Sequence, residues 1–233
     1  METKLVLAWM FVREDLRIAG AVVEAGKTLI AKSTSDAGNR IAIRPLDALR
    51  HAPDPIVCRV ETNATPSGRS VKVLWLADAS KVLHTFACDA AEQALDTAGV
   101  TDESIREAIV VKRRWLKGEA TDEELRTARA RAREVLAAES ETRIDAQVAA
   151  VWTAARAMDW AAEMAARAAW WAAVWTAAES EREAWETWAV AARPAVPEAQ
   201  VAAWVATAES EARTAAAARL NADLEARLMT LAA

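Results

Sequence analysis

His84, Cys88 and Glu92 follow one another at intervals of four, a spacing that stacks an imidazole, a thiol and a carboxylate along one side of a helix. Such a trio could ligate a metal or pair a thiol with a base. Zinc asks for four ligands in a closed site, or three and a water, and the other candidates, His51 and Cys58, lie well back in the chain. A cysteine nucleophile needs a histidine that a third group holds in place, and no local signature supplies one. The phosphate-cradling GxxxxGK(S/T) and GxGxxG, the HExxH zinc helix and the GxSxG nucleophile turn do not occur. These residues therefore read as packing and hydrogen-bonding groups. No catalytic residue, cofactor or metal is assigned; an enzyme of unknown type would require His51, Cys58, His84 and Cys88 to converge in space.

A second cluster is basic. Lys112, Arg113, Arg114 and Lys117 sit where a helix ends, and Arg126, Arg129 and Arg133 line one side of the next. Positive charge is favoured at the negative end of a helix dipole, which explains most of this, and acidic residues 102, 103, 107, 119 and 122 to 124 lie close by. A formal charge of -5 disfavours nucleic acid as partner, because a duplex binder needs a concentrated basic surface. Two cysteines cannot form a disulfide framework, so a reducing cytoplasm is expected. The apolar start Leu5 to Val12 runs straight into Arg13-Glu14-Asp15 and reads as a strand, not a leader. No apolar run approaches the roughly 18 to 20 residues that cross a bilayer, so no membrane partner is expected.

The elements that must position these groups change character along the 233 residues. Leu5 to Val12, Ile56 to Val60 and Val71 to Leu76 are short apolar runs between Gly, Pro, Asn and Asp, the punctuation of strands and turns. Pro45 to Leu49 predicts a short helix with proline in its first turn. From Asp78 onward the signals are helical. Gly99 closes a helix over Ala79 to Ala98, Thr101-Asp102 opens one that Gly118 ends, and Thr121-Asp122-Glu123-Glu124 has the form of a capping box. The next firm breaker is Arg193 to Pro197, with a last helix over 198 to 231. The sequence thus predicts an α+β chain: a small β-rich domain over residues 1–77, then an Ala/Trp-rich helical domain over 78–233, arranged as a bundle or a long hairpin.

Residues 137 to 233 contain 37 Ala and no Gly. On one helix, Trp152, Trp160, Trp170, Trp171, Trp175, Trp185 and Trp188 fall within an arc of about 140° at 100° per residue. Arg156 and Arg167 lie in the same arc, where a guanidinium can stack on an indole. The opposite side carries small groups, among them Ala155, Ala162, Ala166, Ala169, Ala173 and Thr176. An uninterrupted helix of 49 residues would be roughly 75 Å long, too long a rod to bury itself, so a fold-back near Ser140 or Ser180, or pairing with another chain, is expected. Two placements follow for the indoles: filling the gaps of a bundle, or forming a surface on which Trp and Arg act as interface anchors.

Gly26-Lys27-Thr28, Arg44 to Pro53, Val57 to Glu61 and Lys72 to Ala79 resemble bacteriophage alanine- and tryptophan-rich proteins, in which a small N-terminal domain precedes an Ala/Trp-rich helical tail. The likeness covers most of the chain. Phe86 to Leu95, Trp115 and Gly118 to Leu125 resemble, over a shorter stretch, helical immunity proteins proposed for bacterial toxin systems. The first resemblance implies a non-catalytic phage-type accessory or structural protein in the host cytoplasm, with the virion open. The tryptophan arc mixed with charge beside a small-residue face adds that it would act by helix-mediated self-association or by binding a bacterial or phage protein. The second implies an immunity-like or anti-defence inhibitor that binds a bacterial protein stoichiometrically. The candidate interface comprises the seven tryptophans named above with Arg156 and Arg167.

Overall fold

The structure is a computed structural model that describes residues 5–18, 21–31, 41–65, 68–139, 145–157, 161–192 and 198–232. Its strands are β1 (Val6–Val12), β2 (Arg17–Ile18), β3 (Ala21–Val22), β4 (Thr28–Ala31), β5 (Ile41–Ala42), β6 (Ile56–Thr65) and β7 (Gly68–Asp78). The helices are α1 (Pro45–Leu49), α2 (Ser80–Thr97), α3 (Glu103–Leu116), α4 (Asp122–Glu139), α5 (Asp145–Ala157), α6 (Ala162–Ala192) and α7 (Glu198–Met229), with a closing 3-10 turn at Thr230–Ala232. The fold is α+β, a small antiparallel sheet followed by helices. None of the described helices is long and apolar enough to cross a membrane.

The residues divide into two compact units. The first contains Met1–His84, Trp160–Arg167 and Asn221–Ala233; the second contains Thr85–Asp159 and Ala168–Leu220. Two helical segments therefore return to the sheet unit from late in the chain.

In the first unit the sheet order is β4-β7-β6-β1-β5, every pairing antiparallel. The sequence signals find the three long strands. β4 and the two-residue β2, β3 and β5 add to them, and β4 exists because Thr28 to Ala31 align with Lys72 back to Arg69. β1 is a continuous apolar run because both of its faces are covered: Ala8, Trp9, Met10, Phe11 and Val12 are all buried. Ala8, Met10 and Val12 join Cys58, Val60, Val71 and Val73 in one core, closed by Ile18 and Val23. Trp9 points to the other side, edge-on to Trp75 at 5.8 Å, with the Arg59 guanidinium 4.4 Å over its ring. The end of α7 covers this region: Leu224 and Leu228 are buried, Glu225 lies 3.6 Å from Arg59, and the Asn221 side-chain oxygen accepts the Leu46 amide at 3.1 Å. That amide belongs to the first turn of α1 and has no partner inside the helix.

In the second unit, local rules set the helix ends. Gly99 and Gly118 adopt φ of +65° and +76°. After each, two amides bond back into the last turn: Gly99 to Asp96 and Val100 to Leu95, then Gly118 to Trp115 and Glu119 to Arg114. This is the left-handed glycine closure that satisfies the terminal carbonyls. Asp102 caps α3 by accepting the amides of Ser104 and Ile105. At α4 the Glu124 amide donates to the Thr121 hydroxyl while Glu124 accepts the Thr121 amide, the reciprocal box the sequence predicts. The Thr121 amide first, and then the Thr121 hydroxyl, which also donates to the carboxylate at 3.0 Å, hold the Glu124 carboxyl below its ordinary pKa. Its contribution is therefore present above the usual carboxylate range and is lost as pH falls through the lowered value. Thr121→Ala is expected to cost about 1 kcal/mol at neutral pH, measured by urea unfolding, with a smaller difference in acid.

α3, α4 and α5 pack on one another. The tryptophan-bearing stretch is not one rod: α5 ends at Ala157 and α6 begins at Ala162, with 158–160 outside the described residues. Nor does α6 fold back at Ser180. Arg182 pairs with Glu179 one turn before it and Glu186 one turn after, at 2.7 and 2.8 Å, and these pairs carry the helix through the serine.

Candidate protein-binding surface

The metal- or thiol-like trio has other employment. Cys88 is buried on α2 and its thiol is pushed up to about 12, chiefly by desolvation; burial does the same to Cys58. Neither holds a thiolate near neutral pH. Glu92 and Asp89 are taken by Arg113 of α3 at 2.5 and 2.6 Å, and His51 is exposed while His84 is buried. Among the described residues no group of three His, Cys, Asp or Glu side chains could hold a metal ion. Part of the basic cluster is likewise paired internally. Lys112 is buried with its ammonium 4.3 Å over the Trp115 ring, and Arg114 lies 3.6 Å from Glu124.

The second unit's α6 and α7 form the other candidate. Trp185 and Trp188 face Trp204, Arg182 faces Glu209, and Trp175 faces Arg213. Position numbers rise on one helix as they fall on the other, so the two run antiparallel. Ala169, Ala172, Ala173, Thr176 and Ala178 of α6 are buried. Trp171, Trp175, Trp188 and Trp204 are 46%, 51%, 45% and 37% exposed. The methyls are inside and the indoles outside, the reverse of the usual order, because alanine lets a neighbouring element approach closely enough to exclude water. The Thr176 hydroxyl, buried with them, donates to the Ala172 carbonyl at 2.9 Å.

The seven sequence-named tryptophans do not form a single stripe. Trp152 is exposed on α5 with Arg156 4.6 Å over its ring, and Trp160 lies outside the described residues. Trp170 is buried beside Trp171, ring centres 4.7 Å apart. Trp185 and Trp188 meet edge to face at 5.3 Å, and Trp204 lies 6.3 and 5.9 Å from them. Arg167 belongs to the first unit, where it donates to the Arg50 carbonyl at 2.9 Å and also contacts Met164.

Trp204, Arg182, Glu209 and Arg213 are absent from the sequence-derived set. A signal for Trp204 existed: Trp185 and Trp188 precede the 193–197 breaker by about the distance at which Trp204 follows it, so a hairpin brings them level. The charges form one chain of contacts. Arg182 binds Glu179 and Glu186 and lies 3.8 Å from Glu209, which Arg213 holds at 3.3 Å while its guanidinium sits 5.1 Å over Trp175. Hydrogen bonds to Glu186 and then Glu179 raise the Arg182 pKa above its ordinary value. The arrangement offers stacking faces and anchored charge. Comparison with protein-family models, with curated proteins and with solved structures returns no match.

Proposed function

We propose that this chain is a non-catalytic, phage-type accessory protein of the cytoplasm that works through helix-mediated association, with itself or with a protein partner. One observation carries the reading: four indoles of α6 and α7 are 37% to 51% exposed while Ala165, Ala166, Ala169, Ala172, Ala173 and Ala178 of α6 are buried. Large aromatic groups left in water on a rigid element are costly to the lone chain and are the groups that dominate binding energy once covered. Anchored guanidiniums beside them, such as Arg213 over Trp175, fit the composition of interface hot spots.

Acrylamide quenching of indole fluorescence, run beside light scattering, tests it. A large quenchable share is expected in dilute protein, falling when chains associate at higher concentration or when a purified partner is bound. A strict monomer whose indoles are all shielded from acrylamide ends the proposal.

A further inference from the structure

We infer that the indole cluster of Trp185, Trp188 and Trp204 docks a cationic segment, an arginine- or lysine-rich stretch of a partner protein. The inference rests on the reading of this face as a protein-binding surface and names its partner's chemistry. Between turns of α6, Glu181, Ala184, Trp185 and Trp188 line an open groove of about 300 Å³. Glu181 fixes one wall by accepting the Trp185 indole N–H at 3.2 Å. Indole faces carry negative quadrupole density and attract cations, most strongly where a carboxylate stands near.

Charge selects the occupant. Among the described residues, Glu181 lines the groove, and Glu179, Glu186 and Glu209 stand against two guanidiniums. Those two, Arg182 and Arg213, are already committed: the first to Glu179 and Glu186, the second to Glu209 and the Trp175 ring. A second copy docked patch to patch would set this negative excess against itself, since a two-fold contact brings the same surface from both chains. A basic segment removes the excess and gives its ammonium or guanidinium groups indole faces to cover.

The test is fluorescence anisotropy of dye-labelled nona-arginine and nona-glutamate titrated with the full chain. Nona-arginine is expected to bind and nona-glutamate not, with affinity falling steeply between about 0.05 and 0.5 M salt as the charges are screened. Trp188→Leu and Trp204→Leu keep the apolar bulk and remove the indole; each is expected to weaken binding roughly two- to fivefold. Glu181→Gln should weaken it and flatten the salt dependence. Glu103→Gln with Glu107→Gln, exposed carboxylates on α3, should leave it unchanged. Absent binding, unchanged affinity in the leucine variants, or equal loss in the α3 control overturns the inference. So does a two-chain mass that Trp188→Leu abolishes, which would assign the patch to a second copy. Any of these with indoles still open to acrylamide leaves the protein-binding reading standing; shielded indoles in a monomer end both.

Discussion

Trp9→Ala is expected to cost about 3 to 5 kcal/mol of folding stability, the largest loss from any single substitution considered. Trp9 is fully buried at the centre of β1, edge-on to Trp75, with the Arg59 guanidinium over its other side. Truncation leaves a cavity the size of an indole in a sheet covered on both faces, and strands hydrogen-bonded on either side cannot collapse into it. Arg59 also loses its stacking partner while staying only partly exposed beside Glu225. Trp9→Phe should cost far less, about 1 kcal/mol. It keeps most of the aromatic bulk, and the buried Trp9 indole nitrogen that it deletes has no hydrogen-bond partner among the described residues. Urea unfolding followed by circular dichroism measures both. A loss below about 1 kcal/mol for Trp9→Ala would show that β1 is not the centre of the sheet's core.

Ala169→Leu and Trp171→Ala should behave in the opposite order to their sizes. Ala169 is fully buried on α6, and the added branch must push aside whatever approaches it, costing about 1 to 3 kcal/mol. Trp171, two positions on, is nearly half exposed and rests on Trp170, so its truncation should stay within about 0.5 kcal/mol in the unassociated chain. Thermal or urea unfolding in dilute solution reads the pair. A silent Ala169→Leu together with a severe Trp171→Ala would turn α6 over, making the indoles its core and removing the basis of the binding surface.

The chemistry-bearing residues were the easiest to find in the sequence and the least informative about the site. His84, Cys88 and Glu92 do share a helix, but what surrounds them decides their use: apolar burial for the thiol, and Arg113 from another helix for the carboxylate. No spacing rule contains that arginine. The tryptophans were legible as a group gathered toward one arc, but not as two populations, because they are shared between two separate helices, α5 and α6, and because Trp204 joins from α7.

Amino-acid order alone is enough for the helix ends and the long strands. Gly99 and Gly118, Asp102, Thr121 with Glu124, and the unbroken apolar run of β1 act through neighbours a few positions away, and such contacts are the same whatever the rest of the chain does. Pairings across long separations need the assembled molecule: β4 on β7, Asn221 on the first turn of α1, and Glu209 with Arg182. So does the choice of which side of α6 faces inward. A helix apolar on both its alanine and its tryptophan side offers two surfaces for burial, and periodicity cannot rank them. The ranking comes from the shape of what arrives: a close-approaching neighbour gains more contact on methyl groups than on bulky rings, and the indoles are left to the solvent or to a partner.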